Sequence, residues 1–247
     1  MKASAKIAFV IVILLTIAIF VLESGLLYVE PILDRRQDTT QYTPTQNVVI
    51  HATTFNGNIE IQPTTDSKIN VTYIIKTPQG HLYDVKINNN QTKDENQTTT
   101  ITTSAQNQVD PANAQYTADL ILLLPQTSQY NLTLVTSNGN IIKPRLNDAR
   151  VAASTMNGDI TITDGDNCAN IDATCMNGNI KITLAKDTLF QVVASVGNGN
   201  IDHQGIPMNS TIQSATRLKG ATSAGNGTLN MALMTTNGNI KLEYYTP

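Results

Sequence analysis

Two cysteines, three histidines and a scatter of aspartates are the side chains of this 247-residue chain best suited to chemistry. Cys168 and Cys175 invite a disulfide. Seven residues of strand would hold their Cα atoms roughly 23 Å apart, against a bridging limit of about 7 Å. The odd separation also turns them to opposite faces of a strand. Cys175 aligns with Thr155 and Val196, which have nearly its shape, so it reads as core filler rather than half of a bridge. Two thiols are too few for a disulfide-rich scaffold or a multi-thiolate zinc centre.

The histidines are scattered. His203 stands in a column otherwise held by Ile61, Ile162, Ile182 and Leu242. Lys143 departs from the same column just before Pro144, so both residues are expected to mark strands that leave the stack. His51 and His81 have no neighbouring carboxylate or cysteine that suggests a site. Asp164-Gly165-Asp166-Asn167 groups oxygens as a calcium site would. It lacks the EF-hand spacing with a terminal Glu and is not the glycine-rich nonapeptide of calcium-binding β-rolls, whereas turn chemistry explains it. Asp159, Asp164, Asp172 and Asp202 are the acids a polysaccharide-cleaving β-helix would use, but each occurs singly and no Arg or Lys companion repeats beside them. The expectation is a chain with no catalytic residue, no metal site and no cofactor.

Composition narrows the classes further. Charged residues are 14%, well below the usual quarter, and tryptophan is absent. A net charge of −3 and a pI near 5.5 give no footprint for nucleic acid. Thr and Asn together fill 60 positions against 35 charged ones, a bias that suits β-structure or disorder. Six Asn-x-Ser/Thr sequons occur, close to the number this composition produces by chance, so their number is uninformative. Asn90 and Asn96, in a polar stretch, are the accessible candidates for glycosylation.

Asn-Gly decides between order and disorder. It occurs seven times, and the surroundings repeat with it: TTFNGNIEI, VTSNGNII, STMNGDITI, TCMNGNIKI, SVGNGNIDH and MTTNGNIKL. The corner residues are Asn56, Gly57, Asn138, Gly139, Asn157, Gly158, Asn177, Gly178, Asn198, Gly199, Asn237 and Gly238. If Gly220 is a degenerate corner, glycines 139, 158, 178, 199, 220 and 238 follow a period of about 20, within the range of solenoid repeats. Gly165 and Gly227 fall seven residues after a corner and suggest a second turn in each unit.

The columns behave as an interior should. Leu132, Val151, Ile171, Val192 and Met231 precede the glycine by seven, Leu134, Ala153, Ala173, Ala194 and Leu233 by five. Ile141, Ile160, Ile180, Ile201 and Ile240 follow it by two. They alternate with polar residues, as in half-buried strands. An antiparallel meander of Asn-Gly hairpins is one solution. A parallel solenoid is the favoured one, because equivalent residues then stack about 4.8 Å apart and identity down a column stabilises the stack. The expected fold is therefore all-β, a parallel β-solenoid (β-helix) with coils of about 20 residues.

At these residues the chain resembles a family of exported bacterial and archaeal domains named "putative adhesin". Its mark is a late run of Thr-x-Asn-Gly-[Asn/Asp]-Ile-x-[Ile/Val] units after a strand ending in Pro, here Ala118–Pro125, and a lead-in strand, here Tyr130–Asn140. The resemblance covers roughly residues 48–242, is specific over 118–203, and weakens after Gly199, where an insertion carries Pro207. It implies a β-solenoid on the cell surface without an established enzymatic activity, and brings no functional residues to transfer.

The N-terminus supplies an address. Residues 7–22 form an uncharged, strongly apolar run that, with Glu23 allowed near one end, continues through Leu26–Val29; residues 7–29 span roughly 34 Å as a helix, enough to cross a bilayer with some tilt. Lys2 and Lys6 precede them and acids follow, which orients residues 1–6 to the cytoplasm and the bulk of the chain outside. A single-pass signal-anchor is the favoured reading. A cleaved signal peptide fits badly, with Leu22 or Glu23 at the small-residue position, and a pilin-like stalk is the third option. Residues 30–47 read as a linker, 48–134 as a less regular β-rich part, and 135–247 as the Asn-Gly solenoid. Within 48–134, Ile69, Val71, Tyr73 and Ile75 alternate, as do Tyr83, Val85 and Ile87; Ala118–Leu124 looks like a central strand and Asn88–Thr103 like a surface excursion. Whether this part continues the solenoid or forms a sandwich-like cap stays open.

The function expected is a membrane-anchored, cell-surface, adhesin-like binding module, non-catalytic, whose polar solenoid meets glycans, envelope components or itself. The alternative is a structural subunit of a surface filament or envelope layer, with Lys241, Glu243 and Pro247 capping one open end. A polysaccharide-acting enzyme is the third class and requires acids that converge in a groove.

Overall fold

A computed structural model describes residues 33–109, 115–164, 168–203, 205–222 and 229–245. In chain order these form β1 (Leu33–Tyr42), β2 (Asn47–Asn56), β3 (Ile59–Thr64), β4 (Ile69–Pro78), β5 (Val85–Lys93) and β6 (Thr98–Asn107). There follow β7 (Thr117–Pro125), β8 (Gln129–Asn138), β9 (Ile141–Lys143), β10 (Asp148–Asn157), β11 (Ile160–Thr163), β12 (Asn170–Asn177) and β13 (Ile180–Leu184). The last are β14 (Phe190–Asn198), β15 (Ile201–Asp202), β16 (Asn209–Gln213), β17 (Arg217–Ala221), β18 (Leu229–Asn237) and β19 (Ile240–Tyr244). The transmembrane reading of residues 7–29 lies outside the described residues, as do Gly165 and Gly227 of the second turn, and Pro247. Among the described residues no helix is long and apolar enough to cross a membrane.

Each repeat folds as one layer: a long strand, the Asn-Gly corner, then a short strand in the facing sheet. The long strands pair in the order β16-β17-β14-β18-β12-β10-β8-β2-β6-β5 and the short ones in the order β1-β4-β7-β3-β9-β11-β13-β19-β15. The central pairs are parallel and in register, so Val151 stands between Leu132 and Ile171, and Ile180 between Ile160 and Ile240. Every residue of the three repeat columns is buried except Ile201, which is half-buried on the two-residue strand β15. Together they form one continuous core between the sheets. The fold is thus all-β with parallel, solenoid-like stacking, not a meander.

The stacking order departs from chain order twice. The coil β2/β3 sits between β6/β7 and β8/β9, and the last coil, β18/β19, sits between β12/β13 and β14/β15. Gly220 is therefore not a corner; it lies in β17, an antiparallel neighbour of β14, opposite Val192. Lys241 and Glu243 do not cap an end, because β19 is flanked by β13 and β15. Antiparallel strands cover the flanks instead: β17 and β16 beyond β14, β5 beyond β6, and β4 beyond β7. This answers the question left open for residues 48–134, whose β2, β3, β6 and β7 extend the parallel stack while β4 and β5 edge it.

Two polar stretches are strands rather than linker or loop. Residues 33–42, expected within a linker, form β1 beside β4, and Arg36 donates to Leu82 O and Val85 O at 3.1 and 3.2 Å. Asn88–Thr103, expected as a surface excursion, is most of the β5–β6 hairpin. Polar composition misled in both places because flank strands keep one face in water. Tyr83 drops out of the expected alternation: it is 88% exposed in a 3₁₀ turn, Leu82–Asp84, that precedes β5. Ala118–Leu124 is a central strand, as its two apolar faces require, between β4 and β3.

Candidate functional site

The corners of successive layers build three hydrogen-bonded rows. In the first, each Asn side-chain amide donates to the next: Asn138 to Asn56, Asn157 to Asn138 (2.6 Å), Asn177 to Asn157 (2.8 Å), Asn237 to Asn177 (2.7 Å) and Asn198 to Asn237 (2.8 Å). In the second, the backbone N–H after each glycine donates to the side-chain oxygen of the preceding layer. Examples are Asn140 to Asn58 (2.8 Å), Asp159 to Asn140 (2.8 Å) and Asn179 to Asp159 (2.7 Å). Asp159 fits this row because only an acceptor oxygen is asked of it.

The third row lies inside. Thr136, Thr155 and Thr235 hydroxyls donate to the glycine carbonyls of the layer before, Gly57, Gly139 and Gly178, at 2.9, 3.0 and 2.9 Å. Cys175 takes the same place, its thiol 3.1 Å from Gly158 O. Both cysteines are free and buried, and Cys175 does the job of a threonine with a weaker donor. Val196, in the last layer, has no hydroxyl to offer. Glycine is required at the corner because the layers touch there: a Cβ on Gly158 would overlap the Gly139 carbonyl, and φ is 144°. All twelve corner residues thus meet in one rib along an edge of the molecule.

At one end the rib closes on residues that carry no Asn-Gly motif. Asn58 N–H donates to Asp119 Oδ1 at 2.9 Å, Thr54 to Ala118 O at 2.6 Å, and Asn56 Nδ2 to Tyr116 O at 3.3 Å. A pocket of 450 Å³ opens here, lined by Asn56, Asn58, Asn138, Lys76, Thr117 and Asp119 among others. Lys76 Nζ is 3.9 Å from Asp119, and Thr117 Oγ1 is buried with no hydrogen-bond partner among the described residues. Asp119, Lys76 and Thr117 escaped sequence reasoning. The available signal was one acid in an otherwise apolar strand.

A second polar recess, of 610 Å³, lies on the outer face of the short-strand sheet and includes Thr161, Thr163, Thr183, Lys181 and Glu243. Lys181 and Lys241 each reach Glu243 at 2.7 Å and hold its carboxyl below the usual glutamate range.

The remaining candidates are dispersed. Asp172 pairs with Arg150 on the long-strand sheet, Asp202 lies opposite Lys241 on the other, Asp159 is in the rib, and Asp164 is buried. His203 follows the short strand β15, as a departure should, and lies 3.3 Å from Gln213. His81 does have a carboxylate beside it, Asp84 at 2.7 Å. Lys143 does not leave the stack: it pairs opposite Ile162 and is 1% exposed. Asn90 and Asn96 are exposed.

Residues 145–243 match the family model Toastrack DUF4097. No curated protein matches the chain. Among solved structures the chain is similar to a "putative cell adhesion protein" from Clostridium sporogenes, 11% identical over 86% of this chain and 100% of that one, with a TM-score of 0.65. It also matches a "putative adhesin" from Bacteroides fragilis, 15% identical over 84% of this chain and 97% of that one, with a TM-score of 0.36. The first likeness establishes a shared fold.

Proposed function

We propose that the chain is a non-catalytic, adhesin-like binding module, held to a membrane by its N-terminal apolar segment, whose Asn rib and end pocket bind a glycan or envelope polymer. The rib carries the reading. Asn138, Asn157, Asn177 and Asn237 each spend one donor and one acceptor on their neighbours in the row and keep a second of each for an outside partner, so hydroxyl-rich chains meet donors and acceptors at layer spacing. The end pocket adds a cation, a carboxylate and the unpartnered Thr117 hydroxyl, the mixture of polar groups that orients a bound ligand. The adhesion name borne by the similarly folded Clostridium sporogenes structure agrees with this reading.

Binding of the full chain, in detergent, to immobilised envelope polysaccharides and to a panel of neutral and acidic oligosaccharides tests it. Retention is expected, with Lys76→Ala and Thr117→Val each weakening it about tenfold, the loss of one or two good polar contacts. No retention on any glycan, with the fold intact by circular dichroism, removes the proposal. Self-association in the same preparation would favour the structural-subunit reading instead.

A further inference from the structure

The inward column that closes the short strands is aliphatic at Ile61, Ile162, Ile182 and Leu242, and at β9 it holds Lys143. The Lys143 ammonium stands 2.5 Å from Asp148 Oδ1, both side chains having zero exposure, and donates to Thr163 O at 2.9 Å. Asp164 and Cys168 close the group: a carboxylate oxygen from each aspartate and Cys168 Sγ lie within 4.8 Å of one another, all buried.

Two features set this apart from a structural ion pair. Burying two charges costs several kcal/mol per ion, and apolar residues of similar volume serve stability as well. The contact is also shorter than the usual range for an ammonium and a carboxylate, and among the described residues neither Asp148 oxygen has a partner at normal hydrogen-bond geometry. An amine is pressed against a carboxyl group inside the core, with a second carboxyl at hand.

We propose that Lys143 and Asp148 condense to an intramolecular amide, with Asp164 as the proton carrier. After proton transfer within the pair, Nζ of the free amine attacks Cγ of the neutral Asp148 acid. The N–C bond forms, and Asp164 takes a proton from nitrogen and passes it to the Asp148 hydroxyl. The C–O bond then breaks and one water leaves; no oxidant, cofactor or other reactant is consumed. Burial favours the starting state, since desolvation pushes Asp148 upward toward its neutral acid, against the opposing effect of Lys143. The product removes both charges from the core and ties the end of β9 to the start of β10.

Intact mass of the full chain, compared with Lys143→Met and Asp148→Ala, is the test. The wild type is expected to be lighter by one water than the residue masses require, and both variants to carry their full masses. Fragmentation must place the loss within 143–148, and hydroxylamine must leave it unchanged. A wild-type chain of full mass overturns the proposal, as does a loss at Asp164-Gly165 that hydroxylamine opens, which is a succinimide. A full-mass chain that takes up zinc also overturns it, by making the cluster a metal site. Asp164→Ala is expected to stop or slow the condensation at least tenfold, and wild-type conversion in that variant overturns the role given to Asp164. The wild-type reading needs no variant to fold.

Discussion

At the Asn-Gly end of the coils, layer after layer repeats the same hydrogen bonds, whereas the opposite ends diverge and one of them buries a lysine, two aspartates and a cysteine. Pro144–Asn147 joins β9 to β10 there, while Ala185–Leu189 joins β13 to β14. The rib is satisfied by copies of itself, so identity between layers is its source of stability and any single member is replaceable in kind, as Asp159 and Cys175 show. Among the described residues the buried cluster has no copy above or below it. Its stability depends on one particular partner, and its chemistry is correspondingly individual.

Removing Lys143 should break the cluster hardest. Lys143→Met removes the amide partner and the counter-charge of Asp148 together and leaves that carboxyl buried alone, at an expected cost of at least about 3–5 kcal/mol at neutral pH, read from urea denaturation. Asp148 is already raised by burial and Lys143 opposes that rise, so without it the folded-state value climbs further. The folded variant then holds a proton that the unfolded chain releases. Its stability is therefore greatest in acid and falls as pH rises from the ordinary aspartate value of about 3.9. Stability that instead rises across this window would contradict the assignment.

In the rib, Gly158→Ala should cost about 2–4 kcal/mol through overlap with the Gly139 carbonyl and an unfavourable φ. Gly80→Ala, where φ is 83° but the space is open, should cost only about 1 kcal/mol, which separates contact from conformation. Asn157→Ala, losing two bonds of the Asn row, should cost about 1–2 kcal/mol in thermal unfolding, and Asn198→Ala, losing one, about half of that. Equal effects would mean that the row is not additive along its length. Cys175→Thr is the mildest change, neutral or stabilising by less than about 1 kcal/mol, because a hydroxyl is the better donor to Gly158 O. A clear loss there would show that the thiol is needed for more than filling this row.

The repeat columns were legible because packing between identical layers selects identical side chains: the core isoleucines, the corner Asn-Gly and the inner Thr all follow from spacing. The order of the layers was not legible. Any Asn-Gly coil offers the same edge to any other, so nothing local tells β18 to enter between β12 and β14 rather than follow β17. Polar flank strands were hidden for a related reason, since β1 and β5 bury too little to show an apolar period. Asp119 was hidden because it copies the geometry of a corner without its motif. Lys143 was misread as a departure from the stack because an apolar column has no place for a charge unless a buried partner is known. That partner, Asp148, is five residues away across a turn that carries no pattern.

The hydrogen bonds that hold the layers also bear on how the molecule ages. Asparagine before glycine is the pair most prone to lose its amide, because the glycine nitrogen attacks the side-chain carbonyl. In the rib that nitrogen is engaged: Gly57, Gly139, Gly158, Gly178 and Gly238 donate to the neighbouring layer at 2.7 to 3.0 Å. Gly199, in the terminal layer, has no such backbone partner among the described residues. Prolonged incubation at mildly alkaline pH, followed by peptide mapping, should find Asn198 converted well before Asn157, and equal rates would refute protection by stacking. The chemical lifetime of five of these fragile pairs is then set by their neighbours, and the end of the stack is where decay begins.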